Sequence, residues 1–476
     1  MTADGRSFDA RVVGALADPQ LQQALGHVRR RFVASRAAAK AGLPEWGALS
    51  NEAKAIKDHV LANVDLYLEA WERKATAAGA QVHWASTAAD ARDIVLGICR
   101  AAGAKTVTKG KSMVAEEIHL NAHLEANGIT PVETDLGEYI IQLRGEMPSH
   151  IIAPAVHLTK AQVEADFRKA HTHLAADRSM AEPRELVAEA RGILRGKFLA
   201  ADVGITGANF LIAETGSSVI VTNEGNGDLT QVLPRTHVVV TSIEKVVPTL
   251  EDVSVILRLL ARSATGQEIS TYTTFSTGPK RAGDPDGPEA YHVVVVDNGR
   301  SELLGTAMQE VLRCIRCGAC MNHCPVYQAV GGHAYGSVYA GPIGAVLTPA
   351  LDGVMAAPDL PNATPFCGRC EEVCPMQIPL PALMRNFREQ QVAMAKAPAG
   401  QRVGLALWAW LAARPRLYRL ATRAGMRVLD MMGGKAGRLR SLPLAGGWTR
   451  HRDLPAPEGR TFHDLWAERQ RARGRL

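Results

Sequence analysis

Seven of the eight cysteines in this 476-residue chain lie between positions 314 and 374, in two groups whose spacing suits thiolates gathered around inorganic iron and sulfide. The first group, C-I-R-C-G-A-C-M-N-H-C-P, places Cys314, Cys317, Cys320 and Cys324 ahead of Pro325. Three closely spaced thiolates on a glycine-assisted turn can wrap three corners of one cuboidal cluster, and the fourth sulfur is then aimed at a second one. The second group, T-P-F-C-G-R-C-E-E-V-C-P, supplies Cys367, Cys370 and Cys374 before Pro375, with Thr364 where a first cysteine would stand. Exchange of the last cysteine between motifs assigns Cys314, Cys317, Cys320 and Cys374 to one cluster and Cys324, Cys367 and Cys370 to the other. Two iron-sulfur clusters are expected, of the [4Fe-4S] type, the second one thiolate short. It is either a [3Fe-4S] cluster, or its fourth iron takes water, a non-cysteine side chain or a partner's residue. Zinc also binds C-x2-C pairs, but the repeated C-P ending argues against it. Cys99, alone in an apolar helical pattern, reads as a buried small side chain.

Outside the cysteines the signals are weaker. T-K-G-K-S-M at 108–113 sits where a strand hands over to a helix, so Lys109 and Lys111 are candidates for an anion site, with a tight turn and solvated lysines as the equal alternative. The spacing is not that of a Walker A loop. V-E-T-D-L-G-E-Y puts Glu133, Asp135 and Glu138 at the end of the next strand, an edge that hosts ligands in open α/β sheets, although acidic residues there also stabilise a helix dipole. A-E-T-G-S-S and T-N-E-G-N-G-D read as hairpin turns, with Glu214 and Glu224 as lesser candidates for site carboxylates. His323, beside Cys324, can tune a cluster through a hydrogen bond. No G-x-S-x-G, H-E-x-x-H or G-x-G-x-x-G follows a strand, so no hydrolase, zincin or dinucleotide motif supports those readings.

The elements that must position these residues fall into four stretches. Residues 1–75 read as helical, with one start at Asn51; residues 76–300 alternate strand and helix. QVHWA, KTVTKG, TPVETD, ANFLIAET, SSVIVTN, THVVVTS and YHVVVVDNG are the strand candidates, with Ser86 and Ser112 at helix starts and Gly103 and Gly128 past helix ends. Helices are expected over 160–175, 182–195 and 250–266, and such alternation predicts a parallel α/β sheet that resumes after residue 200. The cysteine module spans 301–390. Residues 391–476 form a basic region with 17 Lys or Arg against 5 Asp or Glu, a formal +12 that leaves −6 for the rest of a chain carrying +6 overall. Its LRSLPLAGG stretch and Arg-rich end are expected to be partly disordered. The charge suits an acidic partner protein, or a membrane surface touched peripherally through Trp408 and Trp410, with no motif for nucleic acid. No run of 18 apolar residues and no secretory signal in MTADGRSFDARVVGAL are visible, so the expected location is cytoplasmic.

The long insertion between the two motifs resembles that of iron-sulfur subunits related to succinate dehydrogenase and heterodisulfide reductase. Over nearly the whole chain, TKGKSM, VETDLGEYIIQL, PSHIIAPAVH, ADVGITGANFLIAETGSSVIVTNEGN and the paired cysteine motifs resemble the lactate utilization protein B family, whose second motif is likewise incomplete at the position of Thr364. The resemblance implies an α/β LUD domain, similar to the sugar-phosphate isomerase (NagB/RpiA) and coenzyme A transferase superfamily, joined to an α-helical ferredoxin-like two-cluster module. It further implies an electron-transfer subunit in the oxidation of L-lactate to pyruvate, beside a cysteine-rich subunit and a second LUD protein. The alternative is a LUD-domain enzyme acting on an acyl or phosphorylated small molecule through Lys109, Lys111, Glu133 or Glu214, with the clusters as accessories.

Overall fold

Strands buried on both faces need no polar alternation, and the run Val293–Val296 is completely enclosed by its neighbours. In chain order the strands are β1 (Gln81–Ala85), β2 (Thr106–Gly110), β3 (Thr130–Glu133), β4 (Val203–Thr206), β5 (Phe210–Ile212), β6 (Ser217–Thr222), β7 (Thr236–Ser242), β8 (Val246–Val247), β9 (Tyr272–Ser276) and β10 (Ala290–Val296). The computed structural model describes residues 7–394, 399–442, 449 and 452–473. Six strands form a sheet in the order β1-β10-β7-β4-β2-β3, with every pairing parallel. All six therefore deliver their carboxyl ends, and the loops that follow, to one edge.

Several expectations need correcting. The runs ANFLIAET and SSVIVTN do not extend the parallel sheet; they form a second, mixed sheet in the order β8-β5-β6-β9. The short strand β4, with no long β-branched run of its own, joins the main sheet instead. AETGSS closes the β5–β6 hairpin, but TNEGNGD leads into the helix Asn226–Val232 through Gly225 at φ +71°. Asn51 lies inside the helix Trp46–Ala62 and caps nothing. Thr87, not Ser86, starts the helix Ala88–Ala101 with a capping box to Asp90, whereas Ser112 does cap Met113–Glu117. The predicted helix over 112–128 breaks at His119, φ +53°, before Leu120–Ala126. Cys99 is fully buried in the core beneath the main sheet, and burial pushes its thiol up to about 12.

The chain divides into two compact units, Met1–Gln390 and Gln391–Leu476. In the first, the cysteine segment has no core of its own. Trp46, Leu49 and Ala53 of the N-terminal helices, Phe210 and Val219 of the second sheet, and Ile256 and Leu259 of the helix Leu250–Ala264 share one hydrophobic cluster with Met321, Tyr327, Ile343 and Met376 around the cysteines. The second unit contains the helices Ala399–Ala412, Pro415–Gly433 and Phe462–Arg473 and a short antiparallel pair, Arg438–Leu439 with Leu454–Pro455. The Arg-rich end is thus helical over 462–473, while most of LRSLPLAGG lies outside the described residues. Trp408 and Trp410 are exposed. Among the described residues no helix is long and apolar enough to cross a membrane.

Candidate iron-sulfur site

The two cysteine motifs fold as a repeat. In each, a non-glycine residue with positive φ precedes a cysteine, Arg316 (+59°) before Cys317 and Phe366 (+55°) before Cys367. A glycine with positive φ follows, Gly318 (+71°) and Gly368 (+78°), and a four-residue helix comes next, Ala319–Asn322 and Arg369–Glu372. Left-handed residues on either side of a cysteine curl the backbone tightly enough for successive sulfurs to face one centre. The equivalence extends to the missing cysteine: Cys314 Sγ accepts a hydrogen bond from Arg316 N at 3.4 Å, and Thr364 Oγ1 accepts the matching one from Phe366 N at 3.0 Å. Thr364 therefore holds with an oxygen the place that Cys314 holds with a sulfur.

Sulfurs far apart in sequence come together in two sets. Cys314, Cys317, Cys320 and Cys374 line one small cavity walled by Ile151 and Ile343. Burial, together with Cys374 and Cys314, pushes the Cys317 thiol up to about 12, and Cys374 is raised to about 11 chiefly by burial. Burial and the neighbouring Cys324 and Cys367 push Cys370 up to about 12. Cys367 is exposed, whereas the other six are buried or partly buried. The hydroxyl of Tyr335 is buried without a nitrogen or oxygen partner and interacts with Cys324. His323 Nδ1 lies 2.9 Å from the Ala319 carbonyl.

These surroundings fit an anionic cluster. Lys57 and Lys245, each almost fully buried, are lowered to about 8 by burial, and Cys314 is among the groups that counter the fall. Arg36, also buried and lowered by its burial, feels Cys317 and Cys374; its Nε has no partner. Arg316 Nη1 is likewise orphaned. Buried cations short of counter-charge call for an anion, and an iron-sulfur cluster held by thiolates is of that charge.

The sheet's carboxyl edge is locked to this segment by a closed network. Arg300, with no exposed surface, forms a bidentate pair with Glu117 at 2.6 and 2.9 Å, and its Nε lies 3.0 Å from Glu244 Oε2 as a charge contact rather than an aligned hydrogen bond. Glu244 Oε1 reaches Arg316 at 3.4 Å; the Arg316 guanidinium stacks 4.6 Å over Tyr339, whose hydroxyl donates to Glu117 at 2.6 Å. Burial would raise Glu244, yet Arg300, Lys245 and Arg316 hold it well below the usual carboxylate range. Lys57 donates to the Glu244 carbonyl. None of Arg300, Glu117, Glu244 or Tyr339 stands in a motif, so sequence reading missed them; the only signal was Glu244, a charge set among apolar residues in SIEKVV.

Most of the α/β candidates also meet at that edge. Lys109, fully buried, contacts Glu116 and lies 2.8 Å from Glu133, and despite its burial these carboxylates and Glu138 keep it protonated. Lys111, at φ +31°, pairs with Asp135 at 2.9 Å and Glu224 at 3.0 Å. Burial, Glu133 and Asp135 push Glu138 well above the carboxylate range. Glu138, Lys111, Asn209, Thr222, Glu224 and Arg316 line a cavity of about 240 Å³ between the sheet edge and the Cys314–Cys317 turn. Glu214 is not part of it: it caps the helix Leu250–Ala264 by accepting from Leu250 N at 3.1 Å.

The 4Fe-4S dicluster domain family matches residues 310–378, the LUD domain family residues 68–296, and the family described as lactate utilisation protein B, C-terminal, residues 385–471. Lactate utilization protein B of Bacillus velezensis is 41% identical over 476 residues, covering 98% of each chain. The chain belongs to the lactate utilization protein B family. Its namesake in Geobacillus thermodenitrificans is 44% identical over 94% of this chain and 92% of its own, and an uncharacterized electron transport protein of Escherichia coli, YkgF, is 40% identical over 97% of each. A solved DUF162 family protein from Deinococcus radiodurans aligns with 49% of this chain and 98% of its own at 17% identity and a TM-score of 0.26, too low to bear on the fold. Membership makes the cysteine segment an iron-sulfur domain and the parallel sheet part of a LUD domain.

Removing Glu244 strips Arg300 and Arg316 of a buried counter-charge. Glu244→Ala is expected to cost the cluster-loaded protein about 3–5 kcal/mol, read as a lowered urea midpoint with an unchanged slope.

Proposed function

We propose that the chain is the electron-carrying subunit of a lactate-oxidising system, with Cys314, Cys317, Cys320 and Cys374 holding one cluster and Cys324, Cys367 and Cys370 the other. The observation that carries this reading is the cavity in which Cys374, from the second motif, faces three sulfurs of the first. Bound there, iron-sulfur clusters supply one-electron transfer, and oxidation of L-lactate to pyruvate releases two electrons and two protons. The protein's own groups do the rest. Lys57, Lys245, Arg36 and Arg316 offset negative charge at the first set of sulfurs, and Ile151 and Ile343 keep water from it. Exposed Cys367 makes the second set the one open to a redox partner. The names of the relatives support lactate as the fuel. A cysteine-rich subunit and a second LUD protein are the proposed partners, with the basic region as their dock, in the cytoplasm.

One feature favours a second reading, in which the LUD domain, of the sugar-phosphate isomerase and coenzyme A transferase kind, binds a small acyl or phosphorylated molecule. Lys111 and Arg316, both at positive φ, flank buried Glu138 in the cavity of about 240 Å³, and strained backbone gathers at functional sites.

Three experiments separate these ideas. Cys374→Ser should damage the first cluster and spare the second in paramagnetic resonance spectra of anaerobic protein; loss confined to the second cluster refutes the exchanged ligation. Mild ferricyanide oxidation should give the natural protein a three-iron signal from the second cluster, and Thr364→Cys should suppress it by completing the thiolate set; an unchanged signal means that position 364 does not face the open corner. Lastly, protein with Cys314 and Cys367 both changed to Ser should lose electron transfer to a dye acceptor, and calorimetry with acyl or phosphorylated small molecules should give no heat. Retained saturable binding would favour the second reading.

A further inference from the structure

Away from the cysteines, three side chains from distant stretches converge on one point. Glu146 and His157 flank the loop after the helix Leu136–Arg144, and His333 comes from the insertion between the cysteine motifs. One ligand-type atom of each lies within 4.8 Å of the other two. The imidazoles meet edge to face with centroids 4.5 Å apart.

The hydrogen bonds around them leave each imidazole one nitrogen whose lone pair is free to accept a proton or a metal ion. The Ser149 hydroxyl donates to the Pro154 carbonyl at 2.9 Å, so its oxygen accepts from His157 Nδ1 at 2.8 Å. A neutral His157 then presents its Nε2 lone pair to Glu146 Oε2 at 2.9 Å, acceptor against acceptor. His333 Nε2 donates to the Met147 carbonyl at 2.7 Å, which leaves Nδ1 as its acceptor. Glu146 is oriented through its other oxygen, Oε1, by Arg144 Nε at 2.9 Å. Imidazoles tied by one nitrogen to an oxygen and baring the other, beside a carboxylate fixed by an outer hydrogen bond, form the supporting shell of a metal site. Only a proton or a metal cation relieves the facing lone pairs, and Arg144 already supplies one positive charge on the far side of the carboxylate.

We propose that Glu146, His157 and His333 form a second kind of metal site, taking a divalent cation of the zinc type through two imidazole nitrogens and one carboxylate oxygen. The donor set suits zinc and has no sulfur, unlike the cysteine sites. A cavity of about 380 Å³ lined by Glu146 and His333 gives the ion a way in and leaves a fourth position to water. The site joins the α/β part to the insertion two residues before Tyr335, whose ring is buried near Cys324, so the ion pins that insertion against the loop at 145–159. It stands independently of how the cysteines share their clusters.

The test uses cluster-loaded protein, purified anaerobically, exposed to zinc chloride and freed of unbound ion by gel filtration. One zinc per chain is expected beyond the iron, with a zinc K-edge spectrum of nitrogen and oxygen neighbours at about 2.0 Å and no sulfur shell. Glu146→Gln and His333→Ala should each reduce zinc to background while iron content and cluster spectra stay unchanged, which reports that the variants are folded. A sulfur shell, zinc retained in both variants, or no zinc in the natural protein overturns the site and leaves a protonated His157 paired with Glu146. Should a variant lose iron as well, the zinc K-edge spectrum of the natural protein decides.

Discussion

Negative charge placed inside a protein must be met by positive charge at short range, because desolvating either one alone costs several kcal/mol. Around the first set of cysteines that requirement organises the molecule. Arg36, Lys57, Lys245 and Arg316 come from the N-terminal helices, the edge of the parallel sheet and the cysteine turn itself, and all are buried. Glu244 holds Arg316 through its carboxylate, which also meets Arg300, and Lys57 through its carbonyl. Because these groups arise from such separate stretches, the cysteine segment cannot be a detachable ferredoxin; its electrostatic environment is built by the LUD domain and the N-terminal helices.

The same arrangement gives the carboxyl edge of the sheet a double use. In open parallel sheets that edge is where ligands bind. Here the Glu117–Arg300–Glu244–Arg316 network spends part of it on anchoring the cysteine turn, and the remaining part becomes the cavity at Glu138 and Lys111. Arg316 belongs to both. Arg316 thus lines that cavity while lying in the turn between Cys314 and Cys317.

The repeat within the cysteine segment shows how an incomplete motif keeps its geometry. Phe366, Gly368 and the helix Arg369–Glu372 reproduce Arg316, Gly318 and Ala319–Asn322 turn for turn, and Thr364 accepts the backbone hydrogen bond that Cys314 accepts. The turn is kept while a sulfur is exchanged for an oxygen. That substitution falls in the set that includes exposed Cys367, whereas the four cysteines of the other set are buried or partly buried around one small cavity.

The cysteine spacing, the parallel strands with β-branched runs and the basic region were legible in the sequence, because each depends on residues close together in the chain. Lys109, Lys111, Glu133 and Glu138 were legible for the same reason: they end or follow strands of a parallel sheet, and such a sheet sends all its carboxyl ends to one edge. The tertiary structure alone decided that SSVIVTN leaves for a second sheet, since β propensity does not say which edge a strand will pair with. It alone made Glu214 a helix cap, and it alone gathered Glu117, Glu244, Arg300 and Tyr339 about the cysteine turn. It also drew Glu146, His157 and His333 within reach of one another. Local spacing specifies what a segment can form, whereas charge pairing across more than a hundred residues depends on which surfaces the folded core presses together.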